Sequence, residues 1–344
     1  MTCSKHLILI ALSLIGTLIF SGCGKRIPNA EQAAEQNIFL MGNGAEPESI
    51  DPHLFTGHPD ATIIGALIEG LIAHEEFDNN VPEPGLAESW ESLENSKRWI
   101  LKIRDDAKWS NGDPVLASDF VYSYKRVLSA ALASEFAPML YLMENAKAYH
   151  TGEIKDFSQV GVKAIDNRTL EFNLIGPSPH FLSMLTHPTW YPVHQDTIES
   201  FGGIDNRISK WTRPGNYVGT GPFILEEWVT NQIIKVKKNP LYWDADNVKL
   251  EGIYFFPIAD LHTEFRSFEN GQLHKTNELP SDLIESVKGK PSYRNDPALI
   301  VYYYMINTTR PPLDDIRVST ADQLRTTSSV AAKLRRLDTL RLGS

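Results

Sequence analysis

Hydrophobic positions along this chain change their period repeatedly, and each change marks a new element. Asn37-Ile38-Phe39-Leu40-Met41 reads as a short apolar strand stopped by Gly42-Asn43-Gly44. From Ala61 to Ile72, the residues Ile63, Ile64, Leu67, Ile68 and Leu71 recur at helical spacing, so the pattern predicts a helix with one buried face. Trp99, Leu101 and Ile103 then alternate with Ile100, Lys102 and Arg104, the signature of a half-buried strand, and Asn111-Gly112-Asp113-Pro114 is a turn. Phe120, Val121, Tyr124, Val127 and Leu128 predict an amphipathic helix with Lys125 and Arg126 on its wet side and Ser118 or Asp119 as its cap. Two hairpins follow: 160–165 with 169–174 around Asp166-Asn167-Arg168, and 222–228 with 233–237 around Thr230-Asn231. Mixed periods of this kind predict an α/β (mixed α+β) fold without internal repeats.

The N-terminus carries a different pattern. Lys5 and His6 precede an apolar run from Leu7 to Phe20, too short for a membrane span and suited to the core of a secretory signal over residues 1–22. Phe20-Ser21-Gly22-Cys23 resembles a bacterial lipoprotein box, with Phe20 where Leu is usual, and implies lipidation at Cys23. Cys3 leaves with the signal, so Cys23 is the only cysteine of the mature chain and no internal disulfide can form. Residues 23–36 read as a polar tether.

Composition narrows the function classes. With 43 acidic against 33 basic residues and a net charge of −10, no basic stripe exists to neutralise phosphates, which argues against nucleic acid as a partner. Catalytic motifs are missing: no Gly-x-Ser-x-Gly, no His-Glu-x-x-His and no cysteine pair at metal spacing. Gly219-Thr220-Gly221-Pro222 lacks a following Lys-Ser/Thr and enters a strand pattern, so it reads as a backbone turn rather than a phosphate cradle. The pairs His53/His58 and His187/His194 lie in Pro-bounded loops, where solvation or hydrogen bonding is the expectation ahead of metal ligation. Seven tryptophans are spread along the body, with core packing as the default and a ligand cleft as the alternative.

The order of motifs resembles a known family. Residues 43–53 (Asn-Gly-Ala-Glu-Pro-Glu-Ser-Ile-Asp-Pro-His), Pro84 to Trp90, Ala107 to Pro114 with Asp119 to Ser123, Gly161 to Asp166, Gly219 to Phe223, Asn239-Pro240-x-Tyr242-Trp243 and Tyr302 to Asn307 are similar, in order, to the extracellular oligopeptide-binding proteins of ABC importers. The resemblance covers about residues 37–318. It implies a periplasmic-binding-protein-like clamshell with a first lobe over 37–68 and 195–297, an inserted domain over 69–194, and the start of a second lobe over 298–318. It further implies an extended peptide enclosed between lobes, no cofactor, no enzymatic activity, ABC permease subunits as partners, a monomeric state, and an envelope location facing the periplasm or exterior.

Site residues carry over one at a time. Thr56-Gly57-His58 matches the family segment whose backbone lies along the ligand, with Thr56 where a carboxylate stands in the best-known member. Phe136 falls at a cleft aromatic position without the hydroxyl of the tyrosine it resembles, Asn277 and Glu278 resemble the first lobe's cleft edge, and Tyr303 lies in the strand crossing the hinge. Leu116 replaces a threonine that often caps the next helix, leaving that work to Ser118.

After Pro311-Pro312-Leu313-Asp314-Asp315-Ile316-Arg317-Val318 the family pattern breaks. The tail from Ser319 to Ser344 is rich in Ser, Thr and Arg, and is expected to be disordered with most of the second lobe missing. The reading is therefore a lipid-anchored peptide-capturing component of an ABC importer, inactive if truncated. Dipeptides, murein peptides or a nickel chelate stay open as ligands, and the alternative is an envelope scaffold or sensor lipoprotein that uses the first lobe without enclosing ligand.

Overall fold

The computed structural model describes residues 29–74, 81–295 and 307–318. The signal, Cys23, Tyr303 and the tail from Ser319 lie outside the described residues. The chain divides into two units, one ending at Tyr293 and one starting at Arg294.

Two four-stranded sheets organise the first unit. One has the order β1-β10-β9-β8, built from β1 (Ile38–Gly42), β8 (Phe223–Val229), β9 (Ile233–Lys238) and β10 (Gly252–Phe256). Its β1 and β10 run parallel, Ile38 opposite Gly252 and Gly42 opposite Phe256, while the other pairs are antiparallel. Parallel neighbours cannot be joined by a tight turn. Here nearly the whole unit lies between them in sequence. The other sheet is antiparallel throughout, with the order β4-β5-β7-β6 from β4 (Ala87–Leu93), β5 (Arg98–Ile103), β6 (Val162–Ala164) and β7 (Thr169–Asn173). A small ribbon pairs β2 (Ile72–His74) with β3 (Pro82–Pro84).

Among the described residues the three longest helices are α1 (His58–Leu67), α2 (Ala117–Val127) and α3 (Leu261–Glu269). Helix α1 starts three residues before the spacing suggests and ends at Leu67. Pro59 near its first turn presets the backbone, and its first turn is anchored by Asp60. Ile68 is already extended, so Leu71 is buried from outside the helix.

Buried apolar residues gather in two main cores. One draws on residues 71–190, including Trp99, Trp109, Phe120, Tyr124, Phe172, Phe181 and Trp190. The other lies between α1 and the β1-β10-β9-β8 sheet, where Ile63, Ile64 and Leu67 accompany Trp211, Leu225, Ile234, Val236 and Phe255. Four of the seven tryptophans are buried in these cores, each contributing about 2–3 kcal/mol on burial.

Helix α2 corrects two expectations. Arg126 is not on the wet side: it is 0% exposed, whereas Lys125 is exposed. The helix is enclosed on two flanks, since Phe120, Tyr124 and Val127 enter the 71–190 core while Ser123 accepts the Val193 N–H at 2.8 Å and Arg126 meets the loop after β1. Nor does Ser118 cap the helix, because it is exposed and Leu116 occupies the cap position. Asp119 instead reaches back, accepting from the Leu116 N–H at 2.9 Å and the Trp109 indole N–H at 3.0 Å.

The glycine motif is a close approach of backbones. A Cβ on Gly219 would stand 2.1 Å from the Leu67 carbonyl oxygen and one on Gly221 2.6 Å from the Leu67 carbonyl carbon, so neither site admits a side chain without moving the end of α1. Buried Asn239 closes the same corner by donating to the Gly221 carbonyl at 2.9 Å. In the second unit, described over 307–318, Asn307 accepts from the Thr309 N–H at 3.0 Å and Asp315 from the Arg317 N–H at 2.9 Å.

Candidate ligand-binding site

The C-terminal ends of β1 and β10 open onto the segment 43–60, the place where open sheets with parallel strands offer a crevice. This segment has little regular structure, so side chains must satisfy its backbone. Buried Asn43 donates its N–H to Phe256 at 2.8 Å and its Nδ2 to the Pro59 carbonyl at 3.2 Å, tying the strand ends to the start of α1. Glu264 on α3 accepts from the Gly44 N–H at 3.3 Å and the Asn277 N–H at 2.9 Å. Burial pushes its carboxyl up while these donors pull it back, with a net rise. A Cβ on Gly42 would fall 2.1 Å from the Glu264 Oε1, so a side chain there would push Glu264 off the loop it holds.

Asp60 does the same work further along. Its Oδ1 accepts from the Glu48 N–H at 2.9 Å, and its Oδ2 from the Thr56 and Gly57 N–H groups at 3.1 and 3.3 Å. Its pKa is raised by burial, against the pull of those three donors. The Thr56 hydroxyl donates to Glu48 at 3.0 Å. Glu46 accepts from the Trp228 indole at 2.8 Å and the Asn231 N–H at 2.9 Å, fastening the tip of the β8–β9 hairpin to the loop.

The base of the segment is held by charge. Arg126 donates Nη1 to Asp51 Oδ1 at 2.9 Å and Nη2 to Asp51 Oδ2 at 2.6 Å, a buried bidentate pair with side-chain exposures of 0% and 4%. Nη1 also reaches His53 Nδ1 at 2.9 Å, while His53 Nε2 lies 3.0 Å from the Tyr191 carbonyl oxygen. A carbonyl only accepts and a guanidinium only donates, so the ring is neutral with its proton on Nε2. Burial and then the Arg126 charge lower the His53 pKa to about 3. For Asp51, burial opposes the charged form, but the attraction and hydrogen bonds of Arg126, with help from His53, leave its pKa below the ordinary value. Trp211 adds a bond to Asp51 Oδ2 at 3.2 Å, and the Tyr217 hydroxyl donates to the Ile50 carbonyl at 2.9 Å.

Beside this base stand three rings. Phe55 and Phe136 lie 5.1 Å apart between centroids, and His187 sits 5.4 Å from Phe55 and 5.1 Å from Phe136. Burial lowers the His187 pKa to about 4, so this corner is uncharged near neutral pH.

The structure thus brings most of the sequence candidates into one place. Thr56, Gly57 and His58 form the turn into α1, and Asn277 and Glu278 reach the same loop through Glu264, Gly44 and Asn43. Phe136 packs on Phe55, the residue before Thr56. Thr56, His58 and Glu278 are exposed, and Phe136 and Asn277 are partly buried. Sequence reasoning missed the supports: Asp51, Arg126, Asp60 and Glu264 are acids and a base of ordinary appearance. For Arg126 the sequence offers no separate signal, since the wide buried arc it shares with Ser123 and Val127 is a property of the fold.

A second polar cluster lies near Ile68, where the chain passes from one core to the other. Glu69 accepts from the Tyr242 hydroxyl at 2.5 Å and the Trp243 indole at 2.6 Å, and its backbone N–H and carbonyl both engage the Thr220 hydroxyl at 3.0 Å. The Arg104 guanidinium stacks 3.4 Å above the Trp243 ring. Burial raises the Glu69 pKa to about 7 in spite of these donors and Arg104.

Comparison with known proteins matches this architecture to one family. The model of the bacterial extracellular solute-binding proteins, family 5 Middle, matches residues 81–321. The periplasmic oligopeptide-binding protein OppA of Escherichia coli is 38% identical over 302 residues, covering 87% of this chain and 54% of that protein. OppA of Salmonella typhimurium is 35% identical over 323 residues, covering 92% of this chain and 58% of its own length. Among solved structures, Haemophilus influenzae OppA in complex with RPPGFSPFR superposes with a TM-score of 0.73 at 31% identity, covering 82% of this chain and 54% of that one. The chain spans about half the length of the curated relatives it matches.

Proposed function

The chain belongs to the bacterial extracellular solute-binding proteins of family 5, and from that membership we propose that it supplies one face of an oligopeptide site serving an ABC importer. The ledge formed by residues 43–60, Asn277 and Glu278 at the ends of parallel strands carries this reading. A peptide offers backbone N–H and carbonyl groups whatever its sequence, and a loop whose own amides are already tied down presents a fixed edge to them. Thr56, Gly57 and His58 line the peptide backbone, Phe136 faces a side chain, and Asn277 and Glu278 close the edge. No catalytic step is assigned to these residues. The protein acts as a monomer, with permease subunits as its partners.

Calorimetric titration with mixed short peptides tests the reading. The 344 residues alone are expected to bind weakly or not at all, because one face leaves a peptide's charged ends in water. Joined to the complementary half of a full-length relative, they should bind. Absence of any binding heat from the well-folded joined protein would remove the peptide reading. A lipid anchor at Cys23 and envelope location form the finer part of the proposal. Cys23→Ser should release the protein into the soluble fraction, and unchanged membrane fractionation would refute the anchor.

A further inference from the structure

We propose that Arg126 is a positioning residue for the peptide-facing loop, through which the 71–190 core dictates where Thr56, Gly57 and His58 stand. The inference rests on the peptide-binding reading for its purpose, though not for its geometry. Arg126 belongs to α2, whose Phe120, Tyr124 and Val127 are built into the 71–190 core. Its guanidinium nevertheless grips three atoms of the segment 51–53, at 2.6 to 2.9 Å. Both Leu54 and Phe55 donate their N–H groups to the Asp51 carbonyl at 3.0 Å, so fixing Asp51 fixes the turn that delivers Thr56.

A stability role alone explains the arrangement poorly. Withdrawing two charges from water offsets most of their attraction, and well-packed apolar residues of similar size usually serve a core at least as well. What a planar fork adds is geometry: two parallel bonds to one carboxylate and a third to an imidazole leave Asp51 and His53 a single orientation. Among the described residues, the Trp211 indole bonded to Asp51, the Tyr217 hydroxyl bonded to Ile50 and the Tyr191 carbonyl bonded to His53 are all neutral. None of them can replace the fork. The ring of Phe55, seated against Phe136 and His187, continues the contact between the loop and residues of the 71–190 stretch.

Hydrogen exchange on the 344-residue protein tests the inference without requiring peptide. Arg126→Lys keeps the charge and loses the fork. Amides of Leu54, Phe55, Thr56 and Gly57 should then exchange roughly tenfold faster or more, while those of β5 and β7 keep their wild-type rates. Unchanged protection at 54–57, or loss spread evenly over both sheets, would overturn the proposal. Asp51→Asn with Arg126→Gln removes both charges and covers the case in which Arg126→Lys fails to fold. It should fold with the same loosened loop; wild-type protection in its loop, or collapse of both variants, also overturns the local role. Peptide titration of the joined protein separates the two claims. Loss of loop protection with no peptide bound even by the wild type sinks the binding reading alone, whereas a loosened loop with undiminished peptide affinity sinks the positioning role.

Discussion

Two seams connect the 71–190 core with the core under β1 and β8–β10, and each contains an enclosed acid. At the first, Asp51 meets a guanidinium and stays charged, its pKa below the ordinary value. At the second, Glu69 meets a phenol and an indole at hydrogen-bond distance, and burial raises its pKa to about 7. Arg104 is near, but its guanidinium lies on the Trp243 face and its Nε donates to the Gly85 carbonyl at 2.8 Å. One seam therefore has a fixed charge pattern across the physiological range, and the other changes its charge within it. Burial sets the cost in both places; the nearest partner decides whether pairing or protonation relieves it.

The largest effect should come from breaking the charged seam on one side only. Arg126→Met leaves Asp51 enclosed with no cation, and by analogy with other broken buried pairs it should lose about 3–5 kcal/mol of stability. Asp51→Leu combined with Arg126→Met should recover most of that loss. Urea unfolding of the two variants measures both, and equal destabilisation by the single and double changes would mean that the pair, rather than the orphaned charge, carries the energy.

Acid should expose the same seam more gently. In the fold the His53 pKa falls to about 3, from an ordinary value of 6.5. Between those values the unfolded chain binds a proton that the folded chain refuses, so the His53 contribution to stability decreases as pH falls below 6.5 and levels off below about 3. From pH 6.5 to 4.5 the decrease is about 2 kcal/mol, at roughly 1.4 kcal/mol per unit. A ring nitrogen shift of His53 that stays constant down to pH 4.5 would agree; titration near 6 would show the seam open to water.

Much of this was written in the sequence and some of it could not be. Alternation placed Trp99, Leu101 and Ile103 inside β5, and turn residues located both hairpins, because strand period and turn chemistry are local properties. The start of α1 escapes the apolar spacing because its anchor, Asp60, acts on Glu48 and Thr56 upstream. Arg126 departs from its expected place for a different reason. A helix wedged between two cores buries more of its circumference than one resting on a single core, and a single-face template puts its second flank in water. The meeting of Asn277 with Gly44, and of Glu69 with Tyr242, spans more than 170 residues. Residue spacing alone contains no such contact. The family resemblance implies a cleft edge at Asn277 without naming Gly44 as its neighbour, and is silent on Glu69.

The Glu69 seam gives a smaller pH effect of opposite sign. Glu69 prefers its protonated form in the fold, with a pKa near 7 against an ordinary 4.5, so its contribution declines as pH rises from about 4.5 to 7. Glu69→Gln removes this dependence and keeps partners for both Tyr242 and Trp243, because the amide oxygen accepts from the indole and the amide nitrogen donates to the phenol. The variant should gain about 1 kcal/mol relative to wild type between pH 6 and pH 8. Denaturation curves at the two pH values give the difference directly. A constant offset would mean that water reaches the Glu69 carboxylate, and the contrast between the seams would disappear.

The smallest test asks whether the charged seam depends on the far end of the helix that carries it. Asp119 closes the first turn of α2 through Leu116 and Trp109, seven residues before Arg126, whereas Ser118 stands exposed beside it. Asp119→Ala should cost about 1–2 kcal/mol, as the loss of an N-terminal helix anchor does. Ser118→Ala should stay within about 0.5 kcal/mol. Neither should alter hydrogen exchange at Leu54 to Gly57, since the turn lost at the N-terminus is separated from Arg126 by the Phe120–Tyr124 stretch packed in the core. A loop that loosens with Asp119→Ala would make the whole of α2, rather than the guanidinium at its end, the element that sets the seam.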